Sequence, residues 1–147
     1  MKVSRNLLKQ LRRINEWKDH QGNSSDIDLL DYVGFECTPE IFFALAELFS
    51  PELIEYEGGR FLKSHFDSAT FYSWQDKGFS MIDAQIMLNH IHVRTIIQGQ
   101  EVSDELANAI ANTIKFFWSL SIKDAHIQVL ASTYDDLAVT FSDISKQ

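Results

Sequence analysis

The chain of 147 residues has one cysteine, two prolines and six glycines. A single thiol, Cys37, cannot close an internal disulfide, which suits a reducing compartment. Long apolar runs are absent. The longest strictly apolar stretch, 41–46, is far short of the ~20 residues that span a bilayer. The amino end, MKVSRNLLKQLRR, lacks the uninterrupted apolar core of a signal peptide, so a soluble cytoplasmic domain is expected. Also missing are an HExxH pair, a calcium loop and a phosphate loop, so no catalytic residue, cofactor or metal is assigned. What is present, 45% hydrophobic and 23% charged residues, excludes a disordered chain, a collagen and a coiled-coil rod. A chain of this length forms one domain and needs neither disulfide nor metal to fold.

Positive charge is missing from a long stretch. No Lys or Arg lies between Lys18 and Arg60, yet that span carries Asp19, Asp26, Asp28, Asp31, Glu36, Glu40, Glu47, Glu52, Glu55 and Glu57. The net charge is −8 and unevenly spread: residues 1–18 hold six basic side chains against Glu16, and the remainder seven against twenty acids. Such a field repels nucleic-acid phosphate and anionic lipid, so neither nucleic acid nor a membrane is an expected partner. It attracts basic proteins and speeds their encounter. The plainer alternative is that the acid keeps a small domain soluble, with the basic first helix neutralising part of it.

Apolar spacing predicts a helix over 2–18, with Val3, Leu7, Leu11 and Ile14 on one stripe. Residues 22–25 read as a loop, after which Ser25 or Asp26 caps a short helix through Tyr32. Thr38, Pro39 and Glu40 form a helix start and Pro51 its stop, with Ile41, Phe42, Leu45, Leu48 and Phe49 expected on a buried face. Gly58 and Gly59 predict a hairpin turn that pairs Tyr56 with Phe61 and Glu57 with Arg60. Asp67 or Ser68 caps a helix closed by Gly78. Ser80 with Asp83 resembles a capping box opening a helix to about Ile97. That helix is apolar over much of its surface, which suits a central position or a subunit interface. Ser103 caps a further helix to about Lys123, with Leu106, Ile110, Ile114, Phe117 and Leu120 as its stripe. Alternation around Ile127, Val129 and Ala131, and around Leu137, Val139 and Phe141, predicts a second hairpin joined by 133–136. The expected fold class is α+β: a helix-rich single domain, 1–147, with two antiparallel β-hairpins at about 53–63 and 127–142.

His90 and His92 come nearest to a metal pair. On a helix, residues two apart point about 200° from each other, so they could share an ion only on extended backbone. One buried and one surface histidine is therefore expected. Cys37 precedes a helix, a setting that can activate a thiol, but no spacing selects a base among His20, His65, His90, His92 and His126. It reads as a small buried residue. Glu55 with Glu57, and Asp135 with Asp136, lie in hairpin and turn segments rather than in two unlike environments, and read as solvated charge. Phe61, Phe66, Phe71, Tyr72, Trp74 and Phe79 read as core, any exposed member being suited to anchor an interface.

The acidic span Asp19–Glu57, the hairpin acids Glu52, Glu55 and Glu57, and the rings of Tyr56 and Trp74 together resemble bacterial immunity proteins of toxin–immunity pairs, including those of contact-dependent inhibition systems. The likeness is one of overall type across the whole chain. It implies a non-enzymatic inhibitor that neutralises a basic protein toxin, with a nuclease as a toxin class suited to the surface. The partner-binding residues it implies are Glu52, Glu55, Tyr56, Glu57, Asp26, Asp28, Asp31 and Trp74. Desolvated carboxylates would pair with toxin Lys or Arg around an aromatic anchor. The alternative is a homo-oligomeric scaffold or accessory subunit of a bacterial complex, a homodimer for example, motivated by the apolar 80–97 helix.

Overall fold

A computed structural model of the chain describes residues 5–8, 11–20, 29–97, 102–131 and 136–144. The described chain is α+β, helix-rich with two antiparallel sheets. It divides into two compact units, Met1–Leu45 and Ala46–Gln147.

The first unit holds α1 (Arg5–Leu8), α2 (Arg12–His20), α3 (Leu29–Glu36) and the start of α4 (Pro39–Phe49). The single helix expected over 2–18 is described as two segments, with Leu11 outside both. Leu7 and Ile14 of the predicted stripe are buried, and Trp17 meets Tyr32 edge-on at 5.8 Å. The α3 helix runs on to Glu36 rather than stopping at Tyr32. Its expected cap at Ser25 or Asp26 and the loop 22–25 lie outside the described residues. Thr38 caps α4, its hydroxyl accepting the Ile41 N–H at 3.4 Å. A hydrogen bond from Thr38 also holds the Glu40 carboxyl below its ordinary range.

Of the face expected on α4, Leu48 and Phe49 are half-buried against the core cluster that holds Ile114 and Trp118, while Ile41, Phe42 and Leu45 are exposed. No α4 residue is fully buried, and Phe42 and Phe43 expose 61% and 70% of their surface. Helical spacing tells which side chains share a face; whether another element covers that face is a tertiary matter.

The second unit comprises β1 (Leu53–Tyr56), β2 (Gly59–Leu62), α5 (Ser68–Asp76), α6 (Met81–Leu88), β3 (Ile91–His92), α7 (Val93–Ile96), α8 (Asp104–Ser121), β4 (Ala125–Ala131) and β5 (Leu137–Asp143). The first two strands form a hairpin, and the others an antiparallel sheet in the order β3-β5-β4. The 133–136 connection lies outside the described residues up to Asp136. Residues 138–142 of the central strand are all buried. Onto this sheet α8 lays Ala107, Ala111, Ile114 and Trp118. The Trp118 ring meets Phe141 edge-on at 5.9 Å, and its indole N–H donates to the Leu48 carbonyl at 2.8 Å. Of the predicted α8 stripe Ile114 is buried and Ile110 half-buried, but full burial falls on Ala107, Ala111 and Trp118, and Leu120 is 65% exposed. Alanines let a helix backbone approach a sheet closely, so packing selects Ala107 and Ala111 where hydropathy selects Leu106 and Ile110. A second apolar cluster gathers Phe61, Phe71, Ala84 and Leu88, ringed by Ile54, Tyr56, Phe66, Trp74 and Met81.

The helix expected to reach Ile97 ends at Leu88. Its capping box is present, with both Ser80 and Asp83 bonds made. Asn89 ends it because its side chain is engaged elsewhere: the amide oxygen accepts the Leu62 N–H at 2.9 Å, and the amide nitrogen donates to the carbonyls of Arg60 and Phe141. Ile91 and His92 then pair with Val139 and Ala138 as a strand. Local patterning is blind to a two-residue strand whose partner is so distant in sequence.

The hairpin turn is also shifted by one residue. It is made by Glu57 and Gly58, both with positive φ (49° and 83°), so Glu55 opposes Arg60, Ile54 opposes Phe61 and Tyr56 opposes Gly59. Gly59 is needed for a different purpose. A Cβ there would lie 2.6 Å from the Met81 sulfur and 3.2 Å from the Phe61 ring and the Gln85 amide. The glycine thus admits α6 against the hairpin, and Glu57 takes the left-handed position that glycine would favour.

Candidate functional site

Glu52, Glu55 and Glu57 are all exposed on the β1–β2 hairpin. Its register would let Arg60 neutralise Glu55, but the arginine is engaged on β5 and on the α8–β4 turn. Its guanidinium pairs with the Asp143 carboxylate and donates to the carbonyls of Lys123 (2.7 Å) and Asp124 (3.0 Å). Gln85 completes the clamp, donating to Asp143 at 2.6 Å and accepting the Asp143 N–H at 3.1 Å. Glu55 is left with no ion pair or side-chain hydrogen bond among the described residues. Glu52 accepts from Lys63 at 2.7 Å, but both side chains are more than half exposed, and such pairs contribute about 0–1 kcal/mol.

The hairpin acids border an aromatic ledge. The Tyr56 ring packs on Phe66 (4.8 Å) and Phe71 (5.4 Å), and its hydroxyl lies 3.0 Å from that of Tyr72. Tyr72, 48% exposed, donates to Glu57 at 3.4 Å. The hydrogen bond with Tyr56, then the charge of Tyr56, burial and Glu57 push the Tyr72 hydroxyl up to about 12, so it stays a neutral donor at physiological pH. No family model matches this chain, and no curated protein or solved structure does either.

Four of the predicted site residues, Glu52, Glu55, Tyr56 and Glu57, thus fall on one hairpin. Trp74 lies on α5, half-buried against Phe79 (4.7 Å) with the Lys77 ammonium 4.6 Å from its ring centroid. The accessible ring beside the acids is Tyr72, whose only sequence signal was membership of the aromatic run. Asp26 and Asp28 lie outside the described residues, and Asp31 is placed on α3 in the first unit. Within that unit part of the acidic span is neutralised: Arg13 reaches Glu36 at 3.5 Å, while Arg12 pairs with Glu16 at 2.6 Å.

Neither Cys37 nor the Glu55–Glu57 pair assembles into a site. Half-buried Cys37 donates weakly to the Thr38 carbonyl at 3.6 Å. Glu57 sits in the turn, not on a strand face with Glu55. Asp135 is outside the described residues, whereas Asp136 accepts the backbone N–H groups of Arg94 (3.1 Å) and Leu137 (2.7 Å). With Arg94, Asp104 and Asn108 it lines a cleft of about 530 Å³. His90 and His92 are not on a helix, contrary to expectation, and their rings touch. Among the described residues no helix is long and apolar enough to cross a membrane.

Proposed function

We propose that the chain acts by binding rather than by catalysis, as an immunity-type inhibitor that covers and neutralises a basic protein toxin, a nuclease being the class its acidity suits. The observation that carries the reading is Glu55. Its cross-strand arginine is held by Asp143, so the hairpin presents a carboxylate without an ion pair among the described residues, beside Glu57 and the Tyr56–Tyr72 ledge. Residues 46–147 carry seven basic and fourteen acidic side chains, which favours a cationic partner. Lys and Arg of that partner would pair with Glu55 and Glu57 around the tyrosines, where desolvation strengthens the contact.

The test is the affinity for the protein encoded beside this chain's gene, measured at low and high salt with the native chain and with Glu55→Lys/Glu57→Lys. Tight, salt-weakened binding abolished by the reversals supports the reading. A salt-insensitive complex, indifference to the reversals, or absence of binding overturns it.

A homo-oligomeric scaffold is the second reading. Its original motive, a long apolar helix over 80–97, is gone, but the exposed Phe42 and Phe43 of α4 supply another. Light scattering decides it: a monomer at every concentration removes it.

A further inference from the structure

Two histidines away from the acidic hairpin lie side by side. The segment from His90 into β3 joins α6 to α7, and His92 has extended angles (φ −78°, ψ 124°) in register with Ala138. On extended backbone, side chains two apart share a face. The two imidazoles accordingly meet edge to face, with centroids 4.8 Å apart.

In each ring Nδ1 is the nitrogen that faces an oxygen. His90 Nδ1 lies 2.6 Å from the Met87 carbonyl oxygen, and His92 Nδ1 lies 3.4 Å from Asp136 Oδ2. A carbonyl oxygen only accepts, so in the neutral His90 ring Nδ1 carries the proton and Nε2 keeps its lone pair; the Asp136 carboxylate near His92 Nδ1 favours the same arrangement there. Proteins prepare ligating histidines in this way: an oxygen on the far nitrogen fixes the tautomer and orientation and makes the near nitrogen more basic. Asp136 is itself steadied by two backbone N–H groups. The His92 side chain is 35% exposed.

We propose that His90 and His92 form an open two-imidazole site for a divalent transition ion of the Ni²⁺, Cu²⁺ and Zn²⁺ group, with water completing the coordination. Imidazole suits these ions, and Cu²⁺ binds most tightly of the three. Among the described residues no group of three His, Cys, Asp or Glu could hold an ion, so this is not a closed structural zinc site. The ion is exchangeable, and the fold stands without it. The inference is independent of the inhibitor reading.

Cu²⁺ added to the untagged full-length chain, followed by calorimetry and electron paramagnetic resonance, tests it. One ion per chain with splitting from two imidazole nitrogens is expected. His90→Ala or His92→Ala should each remove one nitrogen and weaken binding at least about tenfold, and Asp136→Asn should weaken it about 10–100-fold through loss of positioning. Substituting the exposed His65 and His126 should change nothing. His90→Gln and His92→Gln replace the alanine variants if circular dichroism shows those unfolded. Stoichiometric binding that survives the double substitution, a spectrum with fewer than two imidazole nitrogens, or no binding by the native chain overturns the proposal.

Discussion

The three-stranded sheet and the β1–β2 hairpin belong to the same unit but are secured differently. The sheet buries its central strand under α8, with Trp118, Ile114, Val139 and Phe141 fully enclosed. The hairpin also buries Phe61 and Leu62, but its tip is tied by a polar clamp from Arg60 to Asp143, Gln85 and two turn carbonyls. Apolar packing asks nothing of the surface charge. A polar clamp takes a cation away from it, and here that leaves Glu55 without an ion pair among the described residues. The anchoring of the hairpin and its acidity are one arrangement.

Trp118→Ala tests the apolar half most severely. It should cost about 3–5 kcal/mol in chemical denaturation, through lost burial, a cavity beside Phe141 and the lost bond to Leu48. A loss below about 1 kcal/mol would break the contrast. Asp143→Ala tests the clamp. It strands the Arg60 guanidinium and the Gln85 amide, but the pair is a quarter exposed (25% and 28%), so the cost should be about 2–3 kcal/mol, below that of a fully buried pair. Hydrogen exchange should then rise in β1–β2 before it rises in β5. Gly59→Ala should cost about 1–2 kcal/mol, because the Met81 thioether can swing aside more easily than the packed Phe61 ring.

Glu57→Gly separates stability from binding. Relief of the left-handed backbone, partly offset by the entropy of glycine, should stabilise by about 0.5–1 kcal/mol, while affinity for a basic partner falls. A rise in both would remove Glu57 from the interface. The smallest effect is expected from Tyr56→Phe. It should lower the Tyr72 ionisation from about 12 towards 10.0, followed by phenolate absorbance. The sign follows from the raised value: the stabilisation is complete below pH 10 and is lost as the pH climbs towards 12.

The parts legible in the sequence were those coded by neighbouring residues. The caps at Thr38, Asp67, Ser80 and Ser103 act within one turn, and all four make the expected bond to a backbone N–H. The β4–β5 hairpin followed from alternation. Hidden were the features decided at a distance: β3, the alanine face of α8, the exposed Ile41, Phe42 and Leu45 of α4, and a turn displaced because Gly59 serves α6. The acidic residues of the site were readable as composition. That Glu55 would have no ion pair among the described residues was not, since Asp143 and the turn carbonyls that claim Arg60 lie far along the chain.

Arg60 and Asp143 are separated by 83 positions. On a ribosome adding ~5–20 residues per second, the hairpin emerges roughly 4–17 s before its carboxylate anchor. During that interval the arginine lacks the carboxylate that holds it in the finished chain. The hairpin therefore acquires its final charge arrangement only once the last strand has been made.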